Sequence, residues 1–119
     1  MMKGKRPYYV ITRYKYYEGD TEYWVEYIGT NYKAACSRYN MLYNHIYQTE
    51  FIDEGVEEER ISRHQDELPK VLAPGEWRRS YIDDDDLYMN VELRCYNTNT
   101  FQTPRLEEKY REEFPNAKY

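Results

Sequence analysis

Residues 81–96, YIDDDDLYMNVELRCY, set four consecutive aspartates directly before a run whose side chains alternate in character. Leu87, Met89, Val91, Leu93 and Cys95 fall on one side. Tyr88, Asn90, Glu92, Arg94 and Tyr96 fall on the other. Successive strand side chains point to opposite faces, so this run predicts a strand with one face on a core and one polar face. The preceding WRRSYI (77–82) reads as its antiparallel partner. Asp83, Asp84, Asp85 and Asp86 then form the connecting hairpin turn.

Upstream, YYVITRYKYY (8–17) and TEYWVEYIG (21–29) are rich in aromatic and β-branched residues and flank a short EGD turn. They predict a first β-hairpin. In its second strand, Tyr23, Val25 and Tyr27 oppose Glu22, Trp24, Glu26 and Ile28. The period then changes. Thr30 or Asn31 can cap a helix over roughly 32–50, in which Ala35, Tyr39, Leu42, Tyr43 and Ile46 form one apolar stripe. Residues 57–68, EEERISRHQDEL, predict a short second helix with Ile61 and Leu68 inward, ended by Pro69. PKVLAPGE (69–76) is a connector. Thr103, Pro104, Leu106, Tyr110 and Phe114 predict a last helix, ended by Pro115. The expected order is ββα(α)ββα. It gives an α+β fold, a four-stranded mainly antiparallel sheet from two hairpins with two or three helices packed on one face. Residues 1–119 are expected to form a single domain.

The chain carries 16 tyrosines and a net charge of −5. Disordered chains are poor in aromatic residues, so the low mean hydropathy of −1.11 reflects tyrosine rather than disorder. Residues 1–49 are mildly basic and residues 50–119 strongly acidic. That balance argues against direct, non-specific nucleic-acid binding and is compatible with a basic partner. Cys36 and Cys95 stand outside any CxxC pair, no apolar leader begins the chain, and no apolar run is long enough for a membrane span. A reduced, cytoplasmic protein is the expectation.

The aspartate run has several readings. It lacks the spaced ligands, glycine and closing glutamate of an EF-hand. Asp86, Glu92 and Arg94 loosely match the carboxylates of a small metal-dependent nuclease, but arginine cannot serve as a base near neutral pH. With Glu57, Glu58 and Glu59, and the acids at 112–113, the run could form a negative surface that steers a basic partner. The competing reading is an acidic loop that only stays hydrated. His45 and His64 lack zinc-ligand spacing, Ser37, Ser62 and Ser80 lie outside any nucleophile elbow, and no glycine-rich phosphate loop exists. No catalytic residue, metal or cofactor is therefore expected.

On the first hairpin, Tyr9, Ile11, Arg13, Lys15 and Tyr17 share one face. Basic and aromatic residues so interleaved suit single-stranded nucleic acid, although Glu18, Glu22 and Glu26 dilute the charge. Sixteen tyrosines cannot all be central core, because each hydroxyl needs a partner or water. Tyr14, Tyr16, Tyr17, Tyr23, Trp24, Tyr27, Tyr88 and Tyr96 are candidates for partner contact. An aromatic hairpin edge also allows a homodimer.

Short, acidic, aromatic-rich and without catalytic motifs, the chain is similar in style to small proteins of phages and mobile elements that block host machinery, such as anti-CRISPR proteins and anti-restriction DNA mimics. That resemblance implies a non-enzymatic interaction module that inhibits a host nucleic-acid-handling protein. The alternatives are a nucleic-acid-binding domain using the first hairpin and, after it, a small metal-dependent nuclease.

Overall fold

The computed structural model describes residues 6–98 and 117–118. Strands β1 (Arg6–Tyr17) and β2 (Asp20–Gly29) form the first hairpin. Glu18 and Gly19 both take positive φ, 50° and 84°, as a two-residue turn matched to the twist of its strands requires. Helix α1 (Tyr32–Ile46) follows. Beyond it come β3 (Ser62–Gln65), β4 (Trp77–Asp83) and β5 (Leu87–Thr98). These five strands are antiparallel in the order β3-β4-β5-β1-β2, and a two-residue strand, β6 (Ala117–Lys118), pairs parallel with the outer edge of β2.

Asn31 caps α1 by accepting the Ala34 N–H at 3.0 Å. The predicted stripe is the buried one: Ala35, Tyr39, Leu42, Tyr43 and Ile46. They pack on Tyr9 and Ile11 of β1, Ile82 of β4, and Met89, Val91, Leu93 and Cys95 of β5. Inside this core the Tyr39 hydroxyl meets the Ser80 Oγ at 2.6 Å, so both buried polar groups are satisfied. Helix α1 runs on as a π-helical turn, Tyr47–Ile52. The next buried residue after Ile46 is five positions on, at Phe51, which is fully buried. The wider turn brings Phe51 inward where α-helical spacing would bring Glu50 or Thr49.

Four expectations need correction. Among the described residues, the sheet has five antiparallel strands, not four, and one long helix rather than two or three packs on it. The predicted second helix over 57–68 is a single 3₁₀ turn, Glu58–Arg60, followed by β3. Ile61 and Leu68 do pack against the core, but two apolar residues cannot define a helical face. Residues 62–65 pair with β4 at the sheet edge. The predicted last helix, at 103–114, lies outside the described residues. Finally, Tyr27 leaves the side it was expected to share with Tyr23 and Val25. A β-bulge at Ile11/Thr12 skips Glu26, pairing Thr12 with Val25 and Ile11 with Tyr27. An extra residue on one strand exchanges the faces beyond it.

Candidate functional site

Two regions stand out, one at a sheet end and one across a sheet face. The end holds the turn between β4 and β5. Its four aspartates are not equivalent. Asp84 is buried, and its Oδ1 accepts the Leu87 N–H at 2.7 Å and the Asp86 N–H at 3.0 Å. The Asp83 Oδ1 accepts the Asp85 N–H at 2.9 Å. Aspartate suits such turns because its short side chain reaches backbone amides two and three residues on. Asp85 occupies the left-handed region at φ 83°, and Asp85 and Asp86 are exposed. Two of the four thus build the turn, and two present charge.

The glutamates Glu57, Glu58 and Glu59 come alongside. Arg60, one residue further, reaches the Asp86 carboxylate at 3.6 Å, and Tyr47 donates to Glu58 at 3.3 Å. Glu50 and Glu54 from the end of the helical run line a hollow of about 340 Å³ with Asp84, Asp86, Tyr17 and Lys15. Tyr17 is exposed there. Glu18 first, then its partial burial, Asp86 and Asp84, raise its hydroxyl above the ordinary tyrosine value. The acidic segments at 57–59 and 83–86 therefore converge at one end of the sheet. Lys15 and Arg60 offset only part of their charge.

The nuclease residues do not converge. Asp86 sits in the turn, while Glu92 lies six residues along β5, about 20 Å away at strand rise. Glu92 is instead held by Arg94 at 2.7 Å and Arg79 at 3.2 Å. Among the described residues, no group of three or more His, Cys, Asp or Glu side chains is arranged for a metal ion. His64 is paired with Asp66 at 2.6 Å.

The second region is the sheet face opposite α1. Register places Tyr14 of β1 beside Tyr23 of β2, and Tyr88 of β5 beside Asp83 of β4. The rings of His64, Tyr81, Tyr88, Tyr14 and Tyr23 meet in sequence, with centroids 5.7, 6.0, 5.8 and 4.9 Å apart. One aromatic ladder thus crosses all five antiparallel strands. Burial first, then Tyr23, Tyr88 and Tyr16, raise the Tyr14 hydroxyl above its ordinary value. Beside it, the Arg79–Glu92–Arg94 group lines a cleft of about 290 Å³ with Thr12, Asn90 and three of the ladder tyrosines, Tyr14, Tyr23 and Tyr88. Arg94 also lies over the half-exposed Trp77 ring at 5.6 Å.

The remaining candidates scatter. Tyr16 is exposed, on the same face as Tyr14. Tyr96 packs near the buried Tyr8 and Val10 at the far end of that face. Trp24 lies on the other side, under the Arg13 guanidinium at 4.5 Å, and Arg13 also pairs with Glu26 at 3.6 Å. Tyr27 packs against the main core and donates to the Asn31 carbonyl. The basic and aromatic face of the first hairpin is therefore the side α1 covers, where Tyr9 and Ile11 are core. Sequence reading missed Tyr81, Arg79 and His64. A signal existed for the first two, since Trp77, Arg79 and Tyr81 alternate along WRRSYI; His64 carried none.

Compared with known proteins, no family model matches the chain, and no curated protein or solved structure is significantly similar to it.

Proposed function

We propose that this chain is a non-catalytic interaction module, of the kind phages and mobile elements encode, that inhibits a host nucleic-acid-handling protein. Its acidic end engages the basic surface on which that host protein holds phosphate. The supporting observation is the convergence of 57–59 with 83–86 through the Arg60–Asp86 pair, with Glu50 and Glu54 beside them. Separate acidic loops would only solubilise the chain. Gathered at one end, they create a directional field that accelerates encounter with a basic partner and falls with ionic strength. Exposed Tyr17 and Tyr16 border that end and supply contact area with polar tips.

The test uses the exposed acids and leaves Asp84 intact. A tagged chain is used to capture partners from a nuclease-treated bacterial lysate, read by mass spectrometry, and compared with a Glu57→Lys/Glu59→Lys/Asp85→Lys/Asp86→Lys variant. The wild type is expected to retain a nucleic-acid-handling protein. The variant is expected to bind that protein at least about tenfold more slowly, with a flattened salt dependence. Equal association rates would refute the role of the acidic end.

A further inference from the structure

We propose that the ladder face is a second, separate binding surface whose ligand is a single strand of nucleic acid. This does not rest on the acidic end; the two surfaces could engage a nucleoprotein complex together, the protein at one and its strand on the other. Single strands are held by two things at once, aromatic faces on which bases stack and cations placed for the phosphates. The ladder supplies the first. Tyr81, Tyr88, Tyr14 and Tyr23 are half-buried, so their rings are fixed by packing while part of each remains accessible. At an inter-strand spacing of ~4.8 Å, five ladder positions extend over roughly 20 Å, long enough for several nucleotides.

The cleft supplies the second. Two guanidiniums share the single Glu92 carboxylate, so the middle of this face is positive although the chain is negative. Arg79 touches Glu92 through one terminal nitrogen and its side chain is 48 % exposed, which leaves donors for a phosphate. Among the described residues, the acids nearest on this side are Asp83, whose Oδ1 is occupied by the turn, and Asp66, which accepts from His64 and from the Arg79 N–H. Neither lines the cleft, although Asp83 sits across from Tyr88 and Asp66 against the Arg79 backbone at its border. Tyr8 and Val10 are buried at the far end of the face, which confines the platform to the ladder half. A protein ligand is the less favoured occupant, because a tight interface core is depleted of charge and this one centres on three charged groups.

The probe is a fluorescein-labelled oligothymidylate of about 12 nucleotides, followed by anisotropy against the full chain from about 50 to 200 mM salt. Tyr14→Leu and Tyr88→Leu are expected to raise the dissociation constant at least about fivefold, while Tyr88→Phe keeps the ring and the affinity. Arg79→Ala is expected to weaken binding and to reduce the salt slope by about one. As a surface substitution it decides the matter should a leucine variant unfold. Asp85→Lys, at the acidic end, is expected to leave strand binding intact or strengthen it. Four results would overturn the proposal: no anisotropy change at about 100 µM protein, equal affinity for folded leucine variants and wild type, free thymidine monophosphate competing as well as the strand, or a protein captured through the ladder in place of the strand.

Discussion

Asp84 separates structure from charge within the aspartate run. Its Oδ1 takes two backbone N–H groups, at 2.7 and 3.0 Å, from a buried position. Hydrogen bonds to a charged group contribute about 1.5–3 kcal/mol each when their loss leaves buried donors unpaired. Here the turn borders solvent, and the freed amides partly regain water. Asp84→Ala is therefore expected to cost about 2 kcal/mol in total. An unfolding entropy of roughly 2.1 cal/mol/K per residue gives about 0.25 kcal/mol/K for this chain, so melting should fall by about 8 °C. Asp84→Asn keeps an acceptor oxygen in the same place and is expected to cost under about 1 kcal/mol. Asp86→Ala loses only an exposed pair with Arg60 and should shift melting by less than about 2 °C. Thermal melts followed by circular dichroism at neutral pH distinguish the three. An Asp84→Ala melt within about 2 °C of wild type would show that the turn does not depend on this carboxylate.

Three further outcomes follow from groups away from the turn. Tyr39→Phe and Ser80→Ala each strand one hydroxyl in the core and are expected to cost about 1–2 kcal/mol, with the double variant losing less than their sum by about 1 kcal/mol in denaturant titrations; additive losses would mean that the 2.6 Å contact contributes nothing. The Arg79 N–H first, then His64, hold the Asp66 carboxyl below its usual value near 3.8. That lowered value contributes stability above pH 3.8 that is lost as the pH falls through it, so the melting difference between wild type and Asp66→Asn should be constant near neutrality and shrink in acid; a constant difference across the range would contradict it. Burial, and secondarily Glu76, push the Cys95 thiol up to about 11, and its side chain is 1 % exposed. A thiol reagent at pH 8 should therefore modify at most the partly exposed Cys36 in the native protein and both cysteines in denaturant.

Elements with two unlike faces were legible in the sequence. β5 alternates because Leu93 meets the core while Arg94 meets the cleft, and α1 shows its stripe because one side lies on the sheet. β3 was not legible, because all four of its residues are exposed. What holds it is backbone pairing to β4, the His64 ring against Tyr81 and the Arg63 guanidinium 3.8 Å over Tyr47, none of which leaves a hydrophobic period. The π-helical turn was hidden by the five-residue step from Ile46 to Phe51, which fits neither regular pattern. At the candidate sites, four identical aspartates gave no sign of their division into turn-building and exposed residues. The tyrosines were visible as a surplus, but their assembly into a ladder depends on cross-strand register, which brings together residues as distant in the chain as Tyr14 and Tyr88.

The bulge opposite Ile11 and Thr12 also bears on how this sequence can change in length. Deleting an ordinary strand residue turns every side chain beyond it to the wrong side. Glu26 is the surplus residue of β2, skipped between the Val25 and Tyr27 pairings. Its deletion would leave a regular ladder in which Tyr23 and Val25, and then Tyr27 and Ile28, keep the faces they now hold. Deleting Glu26 thus preserves the alternation of β2, and its penalty falls on Arg13, which would lose the carboxylate now 3.6 Å away.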